Sequence, residues 1–306
     1  MGIVTALVCT RNRPKHLARV VHSLLASTGV DLEIVVIDQS DGSDSEQALS
    51  ASASDSRLHY VRSRVRGKGA ALNEGLRRAR GALIVCTDDD CEASPGWVAD
   101  MIRTLEEQPT AAVVFCTVTA GPYDRNAGYV PTYTARRNRL LRSIGDCRDG
   151  LGFGAGMIFR RDVVMAIGGY DETFGPGARF ASGDEHDLCH RLLLKGWHVY
   201  ETTDVSIVHH GFLTFAEGRT HTRRDWISTG AAGAKLLRSG HMEAASLPLW
   251  LFSVYALWPP LEDMTKLRRP RQLARMAGFF HGFVGGLRMR VDRQTLMYRQ
   301  PGTAQR

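Results

Sequence analysis

The feature that most constrains the fold is an apolar stretch of strand type, residues 84–87, that leads directly into Asp88, Asp89 and Asp90. A strand this apolar is expected inside a sheet, and in an open α/β sheet its carboxyl end faces the ligand crevice. Three adjacent carboxylates repel one another there unless a cation compensates them. Carboxylate clusters favour hard cations such as Mg²⁺ or Mn²⁺, which bridge protein oxygens to a diphosphate. The alternative is an acidic turn before the helix that begins near Ser94.

Strands and helices alternate at short spacing around this segment. Apolar runs predict strands at residues 3–9, 32–37, 57–61, 82–87, 111–118, 152–159 and 205–208, and helical patterns occur at 14–25, 70–79, 94–108, 161–167 and 188–195. The alternation predicts an α/β fold with a doubly wound parallel sheet. Residues 121–149 lack periodicity, and a loop of this length in a compact domain is more often functional than idle.

Two nucleotide-binding folds are excluded because their glycine-containing phosphate-binding motifs are missing. That turn, Thr10 to Pro14, contains no glycine, so it lacks the Gly-x-Gly-x-x-Gly that wraps a dinucleotide pyrophosphate. The chain also has no Walker-type phosphate loop. A sugar nucleotidyltransferase would be expected to carry a glycine-rich signature with Arg and Lys at the same place.

Composition indicates the cellular compartment of the protein and the size of its hydrophobic core. With 306 residues, of which 43% are hydrophobic, the chain can bury a large core as one domain or two. Its six cysteines are scattered without a Cys-x-x-Cys pair, which indicates a reducing compartment and no metal–thiolate site. The first residues lead directly into a strand, so we expect no signal peptide and a cytoplasmic location.

A second acidic group opens the helix predicted at residues 188–195. Asp184, Glu185 and Asp187 lie there beside a histidine, and the helix dipole favours acids at such a position. Three acids after a glycine-rich approach are more than a helix cap requires. Farther on, His209 and His210 end a strand, and neutral imidazole is a good ligand for divalent metals. A pair of surface histidines without a metal is the alternative.

The ordered set of these motifs resembles family 2 glycosyltransferases with the GT-A fold. The motifs are VCTRNRP at 8–14, VVID at 35–38, GKGAALN at 67–73, DDD at 88–90, GAGM at 154–157, GGYDE at 168–172 and GDEHDL at 183–188. The resemblance covers roughly residues 3–212. It implies a GT-A domain at 1–215, a Rossmann-like mixed sheet flanked by helices, with a nucleotide-sugar half at 1–118 and an acceptor half at 119–215. A helical extension follows at 216–306.

The resemblance also implies an inverting transfer of a sugar from a nucleotide-diphosphate donor to an acceptor hydroxyl. Asp88 would lie near the ribose, and Asp90 would hold Mn²⁺ or Mg²⁺ against the diphosphate, where the ion neutralises charge on the leaving group. The candidate donor-binding residues are Thr10, Arg11, Arg13, Asp38, Lys68, Asn73, Asp88 and Asp89, and the candidate metal ligands are Asp88, Asp90 and either His210 or His209. A solvated turn lysine is the alternative for Lys68.

Inversion needs a base that takes the acceptor proton on the face opposite the leaving group. The family usually has Glu-Asp where this chain has Asp184 and Glu185. Glu185 aligns with the base and is favoured, and Asp184 is the second candidate. We place Gly156, Trp97 and Asp187 on the acceptor side, with Trp97 as core or pocket wall rather than a sugar-stacking platform.

The end of the chain is basic and partly apolar. From residue 241 onward, ten Lys and Arg face four acids, and apolar runs occur at 247–258 and 277–287. The first run is shorter than the roughly 20 residues that span a bilayer. Apolar runs bounded by Arg suit helices lying in a membrane interface, so we expect residues 243–306 to meet an anionic membrane surface and no nucleic acid. Packing on the domain or against a second copy, as in a homo-oligomer, is the alternative.

These observations predict a metal-assisted glycosyltransferase, peripheral at the inner face of the cell membrane, acting on a lipid-linked or cell-envelope glycan. Two alternatives remain. One is a sugar nucleotidyltransferase, and the other is an inactive scaffold subunit that binds nucleotide sugars. The swapped order of Asp184 and Glu185 favours only the latter.

Overall fold

A computed structural model describes residues 2–299 of the chain. The strands are β1 (Val4–Thr10), β2 (Leu32–Asp38), β3 (Leu58–Arg62), β4 (Leu83–Asp88), β5 (Cys91–Glu92), β6 (Ala111–Ala120), β7 (Gly128–Tyr129), β8 (Arg139–Leu141), β9 (Met157–Arg160), β10 (His198–His209) and β11 (Leu213–Thr214). The helices are α1 (Pro14–Leu25), α2 (Asp44–Ala48), α3 (Lys68–Arg78), α4 (Trp97–Glu106), α5 (Arg161–Ala166), α6 (Asp184–Leu194), α7 (Phe215–Arg238), α8 (Met242–Leu251), α9 (Trp258–Thr265) and α10 (Leu273–Leu287). Short 3₁₀ turns lie at Ser50–Ser52 and Ile144–Asp149, and a π-helical stretch, Phe252–Leu257, joins α8 to α9.

The main sheet has nine strands in the order β3-β2-β1-β4-β9-β6-β10-β5, with β8 also paired to β10. Strands β3, β2, β1 and β4 run parallel, as their alternation with helices predicts. Strand β9 lies antiparallel between β4 and β6, so the sheet as a whole is mixed. Strands β7 and β11 form a separate small ribbon.

Helices cover both faces of the sheet because its central strands are apolar on both sides. One face packs against α1 and α4, where Leu17, Leu24 and Trp97 are fully buried. The other face packs against α3 and α6. Parallel strands covered on both sides present their polar residues only at their ends, and this concentrates the polar groups at the carboxyl edge.

The predicted extension at 216–306 shares the main core where it begins. Leu236 of α7 and Leu247 of α8 are buried in the same apolar cluster as Phe115 and Phe159 of the sheet. A third cluster joins α7 to the segment after α10, through Phe174, Phe180, Ala231, Met289 and Tyr298. Helices α7 and α10 approach closely at Gly282, where only glycine fits. A Cβ at this position would lie 1.8 Å from the Ile227 carbonyl oxygen.

The run Met242–Thr265 is continuously helical over 24 residues, and by length and composition it could cross a membrane, the one such segment within residues 2–299. This helix is longer than the apolar run of twelve residues that the sequence predicts. Pro259 and Pro260, which are expected to end that run, lie in the first turn of α9, where proline is tolerated. Only 28% of the most apolar part of this segment is buried.

Candidate functional site

The carboxyl ends of β1 and β4 bring the Asp-rich turn together with the turn after β1. Thr10 Oγ1 donates a hydrogen bond of 2.7 Å to Asp89 Oδ2. The Arg13 guanidinium lies 3.0 Å from Asp89 Oδ1 and 3.0 Å from Asp90 Oδ2. Because β1 and β4 are adjacent and parallel, residues far apart in sequence meet at one edge.

Lys68 reaches this edge from the start of α3. Gly67 precedes it with a φ of 94°, a conformation that favours glycine, and the turn directs the lysine back over the sheet. Lys68 Nζ donates to Asp88 Oδ1 at 2.5 Å, and its side chain is only 20% exposed. Burial alone would lower the pKa of Lys68, but the charges of Asp88, Asp184 and Glu185 outweigh it and raise the pKa well above its usual range. Lys68 is therefore a fixed cation of the cleft and not a solvated turn residue.

Asp90 carries a buried oxygen that accepts no hydrogen bond from any residue in the range 2–299. This oxygen, Oδ1, lies 3.1 Å from His209 Nε2, while His209 Nδ1 donates to the Pro131 carbonyl at 2.8 Å. A Cβ at Gly211 would lie 2.5 Å from His209 Nε2 and 2.6 Å from Asp90 Oδ2, so the space beside them depends on glycine. A carboxylate and an imidazole around a small cradle suit a divalent ion such as Mn²⁺ or Mg²⁺.

The structure places His209 and not His210 beside Asp90. His210 Nε2 instead lies 3.0 Å from Glu92 Oε2, on the opposite side of the strand end. Consecutive residues of a strand point to opposite faces, so only one of the pair can face the cleft. The thiol of Cys91 is also near Asp90 and His209, but burial raises its pKa well above the usual range, so it stays protonated.

Asp89 and Asp90, the two buried aspartates of the turn, differ in the pKa of their carboxyl groups. Burial raises the pKa of Asp89 to about 6, even though the Arg13 charge acts in the opposite direction. Burial also acts to raise the pKa of Asp90, but the adjacent His209 side chain and the charge of Arg13 lower it to about 2. Asp90 is therefore the carboxylate that stays ionised, as a metal ligand must.

The candidate base lies at the first turn of α6. Gly183 precedes this turn in the left-handed conformation, with a φ of 75°. Asp184 is 3% exposed, and burial raises its pKa to about 7. For Glu185, burial is opposed by the charges of His186 and Lys68 and by backbone amides that include the Gly154 N–H, so its pKa is lowered. Near neutral pH, Glu185 is the ionised member of the pair.

The residues expected to contact the nucleotide lie at the end of β2. Asp38 is fully buried, and its two oxygens accept hydrogen bonds from the Tyr60 hydroxyl and the Ser40 amide. Arg11 lies at the surface, 3.4 Å from Asp41. Asp41, a residue that the sequence did not single out, accepts from Asn12 and Arg66, and these hydrogen bonds lower its pKa to about 2.

Two other predicted site residues are committed to internal contacts. Asn73 donates to the Tyr170 carbonyl and accepts from the Tyr170 amide, and it thereby holds the 168–172 loop. Asp187 pairs with Arg191 and Lys235 in the interior. Within residues 2–299, every polar atom of these two side chains already has a protein partner, so neither is available to bind a substrate. Nothing in the sequence indicated that Lys235 lies beside Asp187.

Trp97 and Gly156 likewise lie in packed regions. Trp97 is 0% exposed among the core residues of α4, and its indole N–H points at Cys116 Sγ at 3.5 Å. A Cβ on Gly156 would lie 2.6 Å from the same sulfur, so glycine permits the close approach of neighbouring strands. Both are placed by packing rather than by contact with the open cleft.

The chain is similar to known proteins in both sequence and fold. The model of glycosyl transferase family 2 matches residues 5–168, more than half of the chain. A glucosyl-dolichyl phosphate glucuronosyltransferase from Haloferax volcanii is 26% identical over 227 residues, which are 67% of this chain and 66% of that protein. The succinoglycan biosynthesis protein ExoO from Rhizobium meliloti is 36% identical over 110 residues, or 36% of this chain and 30% of that protein. The chain therefore spans less than two thirds of the length of these curated relatives.

A solved structure shares the fold. The mannosyltransferase PcManGT from Pyrobaculum calidifontis, in complex with GDP-Man and Mn²⁺, superimposes with a TM-score of 0.62 at 20% identity, covering 93% of this chain and 87% of that one. The likeness confirms the predicted GT-A fold. Because the family model covers more than half of the sequence, the chain belongs to glycosyl transferase family 2, a family of transferases.

Proposed function

We propose that the protein transfers a sugar from a nucleotide-diphosphate donor to an acceptor hydroxyl, with inversion at the anomeric carbon. The observation that carries the proposal is the unpartnered Asp90 oxygen facing His209, in a cleft that also holds Lys68. A buried carboxylate oxygen without a hydrogen bond is costly, and a cation that arrives with the donor would satisfy it.

Departure of the nucleotide diphosphate develops negative charge. Arg13 and Lys68 supply two fixed positive charges at the cleft, next to Asp88, Asp89 and Asp90. A divalent ion held by Asp90 and His209 would add Lewis-acid stabilisation of the same charge. Thr10, Asp88 and Asp89 complete the donor side, and Arg11 and Asp38 border the position of the nucleoside.

Glu185 is the residue that we assign as base. The acceptor oxygen attacks the anomeric carbon, the bond from that carbon to the diphosphate oxygen breaks, and the acceptor proton passes to the Glu185 carboxylate. A base must be ionised before it acts, and Glu185 has the lowered pKa, whereas Asp184 has the raised one. This division favours Glu185 over Asp184 despite their exchanged order.

The acceptor is proposed from the relatives. One relative is named for a dolichyl phosphate-linked substrate and the other for succinoglycan biosynthesis. We infer an acceptor hydroxyl on a lipid-linked or cell-envelope glycan. A peripheral position at the inner face of the membrane is consistent with such an acceptor.

The surface of α8–α10 supports membrane contact. Most exposed large apolar side chains of the described chain lie there: Met242, Leu249, Val254, Tyr255, Trp258, Leu261, Met264, Leu267, Leu273, Phe280, Val284 and Leu287. Arg268 and Arg269 are exposed next to them and pair with no carboxylate in residues 2–299. Apolar side chains beside unpaired arginines suit an anionic lipid surface.

Vesicle binding tests this surface. Replacing both Arg268 and Arg269 with Ala should weaken binding to vesicles containing phosphatidylglycerol by about 2 kcal/mol, or roughly 30-fold. Arg136→Ala with Arg137→Ala, two exposed arginines of the 121–149 loop, is the matched control and should bind as wild type. Equal binding by both double variants would refute the membrane contact.

Turnover of nucleotide sugars tests the transfer reaction. A panel of uridine, guanosine and thymidine diphosphate sugars is incubated with the protein, with and without Mn²⁺, and release of the nucleoside diphosphate is measured. Asp90→Asn should lower metal-dependent release at least about 100-fold, since it removes charge at the leaving group. Glu185→Gln should abolish transfer and keep donor binding. Glu243→Gln, an exposed glutamate on α8, is the control.

The results distinguish an enzyme from a scaffold. Equal and slow release by wild type and Asp90→Asn, together with retained donor binding, would favour the inactive nucleotide-sugar-binding alternative. Release of pyrophosphate from a nucleoside triphosphate and a sugar phosphate would favour a nucleotidyltransferase.

A further inference from the structure

Lys235 of α7 is a charged residue in the interior of the protein. It is 2% exposed, and its Nζ donates to Asp171 Oδ2 and to Asp187 Oδ1, each at 2.5 Å. The ammonium also lies 4.5 Å from the ring centroid of Phe174 and 5.0 Å from that of Tyr298. Aromatic faces add favourable cation–π attraction at a site without water.

A second cation completes this group. Arg191 Nε donates to Asp187 Oδ2 at 2.9 Å, and its other nitrogens bind the carbonyls of Ile167 and Gly169. Asp171 Oδ2 also accepts from the Tyr298 amide at 2.8 Å. We call Asp171, Asp187, Arg191 and Lys235 the closed cluster. Its two negative and two positive charges balance.

The closed cluster contacts the helix that carries the candidate base. Asp187 lies three residues after Asp184 on α6, one turn farther along the helix. When Lys235 holds Asp187, it therefore restrains the first turn of α6, which also contains Glu185. The anchor comes from α7, outside the region that resembles the family.

The cluster also controls the loop that borders the same carboxylates. Asp171 anchors the start of this loop, and Gly175 farther along it packs so closely that a Cβ there would lie 2.9 Å from Asp184 Oδ1. The next residue, Pro176, accepts a hydrogen bond of 2.9 Å from the Lys68 amide. One lysine thus restrains both Asp184 and the helix start that carries Lys68.

A buried group of charges such as this one is expected to add little to the stability of the fold. Ion pairs removed from water often contribute no more than apolar residues of similar volume, because desolvation offsets their attraction. What a buried pair does provide is a single geometry, since only one arrangement satisfies every charge.

We propose that Lys235 is a positioning residue for the transfer reaction, and that it sets the first turn of α6 and the 171–176 loop so that Glu185 faces the donor cleft. The proposal rests on the proposed transferase activity. It makes the helical extension a part of the catalytic unit rather than an appendage for membrane binding alone.

The test uses a charge-balanced double variant of the full chain, Lys235→Met with Asp171→Asn. Removing one charge of each sign leaves the Asp187–Arg191 pair neutral, so the protein keeps a balanced interior. We expect kcat for sugar transfer to fall about 10- to 100-fold, with the donor KM within about twofold, because small displacements of a base are costly. We also expect the amides of residues 184–188 to exchange hydrogen about tenfold faster, while those of α4 are unchanged.

The matched control removes a partly exposed pair outside the proposed membrane surface, Arg57→Gln with Asp55→Asn, and should change neither measurement. Wild-type kcat and wild-type exchange in α6 for the Lys235 double variant would overturn the proposal. Faster exchange in α4 and α6 alike, or failure to fold, would assign the cluster to stability and overturn it as well. If wild type transfers no sugar, the proposed function fails, while exchange in α6 still decides the positioning role.

Discussion

Two buried acidic groups in this protein are neutralised in opposite ways. The closed cluster pairs Asp171 and Asp187 with Lys235 and Arg191, and each of these four residues is at most 3% exposed. The cleft group, Asp88 to Asp90, relies on cations at its rim, including an Arg13 side chain that is 53% exposed. It also leaves one oxygen of Asp90 without a hydrogen bond within residues 2–299.

The difference separates structural charge from charge that awaits a ligand. A buried acid whose every oxygen is satisfied can be understood from the chain alone. An acid that keeps a buried oxygen without a hydrogen bond still has an open position at which a bound cation can be accepted. Acid content therefore does not distinguish the two groups, but the completeness of their hydrogen bonding does.

The largest effect is expected when each group loses its lysine. Lys235→Met should reduce the free energy of unfolding by about 3 to 5 kcal/mol, because two buried carboxylates are left with one cation. Lys68→Met should reduce it by about 1 kcal/mol, since Asp88 is partly exposed and regains water. Urea denaturation at neutral pH measures both values. Equal losses would erase the distinction between the two groups.

A pH series tests Asp184, a buried acid at the first turn of α6 that does not belong to the closed cluster. The folded-state pKa of Asp184 is raised to about 7, above its unfolded value of 3.8. The folded state therefore holds the proton more tightly, and this contribution to stability is complete below about pH 4 and lost as the pH rises through 7. Asp184→Asn should remove the loss and gain roughly 4 kcal/mol relative to wild type between pH 4 and 8.

Asp41→Asn is the control for this series. The pKa of Asp41 is lowered to about 2 by Asn12 and Arg66, so this carboxyl stays ionised from pH 5 to 8 and its replacement should shift stability equally across that range. A difference between Asp184→Asn and wild type that does not grow with pH would contradict the raised pKa.

Sequence reasoning located the sheet edge but not every partner at it. The parallel run of β1 to β4 followed from periodicity, because each strand is apolar and a helix separates it from the next. The antiparallel direction of β9 did not, since strand direction depends on how the chain returns across the sheet. Trp97 was expected as either core or pocket wall, and its complete burial in α4 places it in the core.

His209 and Lys235 show two different limits of what can be predicted from the sequence. Alternation along β10 holds the answer for His209, because it lies two residues after the buried Ile207 and so shares its face. No such signal exists for Lys235, which is 48 residues from Asp187 and lies in a helix rich in small residues. Its role depends on how α7 docks, and a single sequence does not contain that information in local form.

The smallest expected effect is the stabilisation of the cleft by Mn²⁺, which the closed cluster should not bind. Mn²⁺ should stabilise the wild-type protein by about 2.7 kcal/mol at one hundred times its Kd, because it binds the folded state. His209→Gln should lose most of this shift, and His210→Gln should keep it, since His210 faces Glu92 and not Asp90. Thermal unfolding with and without Mn²⁺ gives the shifts. The closed cluster contributes no ligand, because Lys235 and Arg191 already satisfy Asp187, so the cleft alone accounts for the response. Loss of the shift in His210→Gln and not in His209→Gln would assign the metal to the other side of the strand.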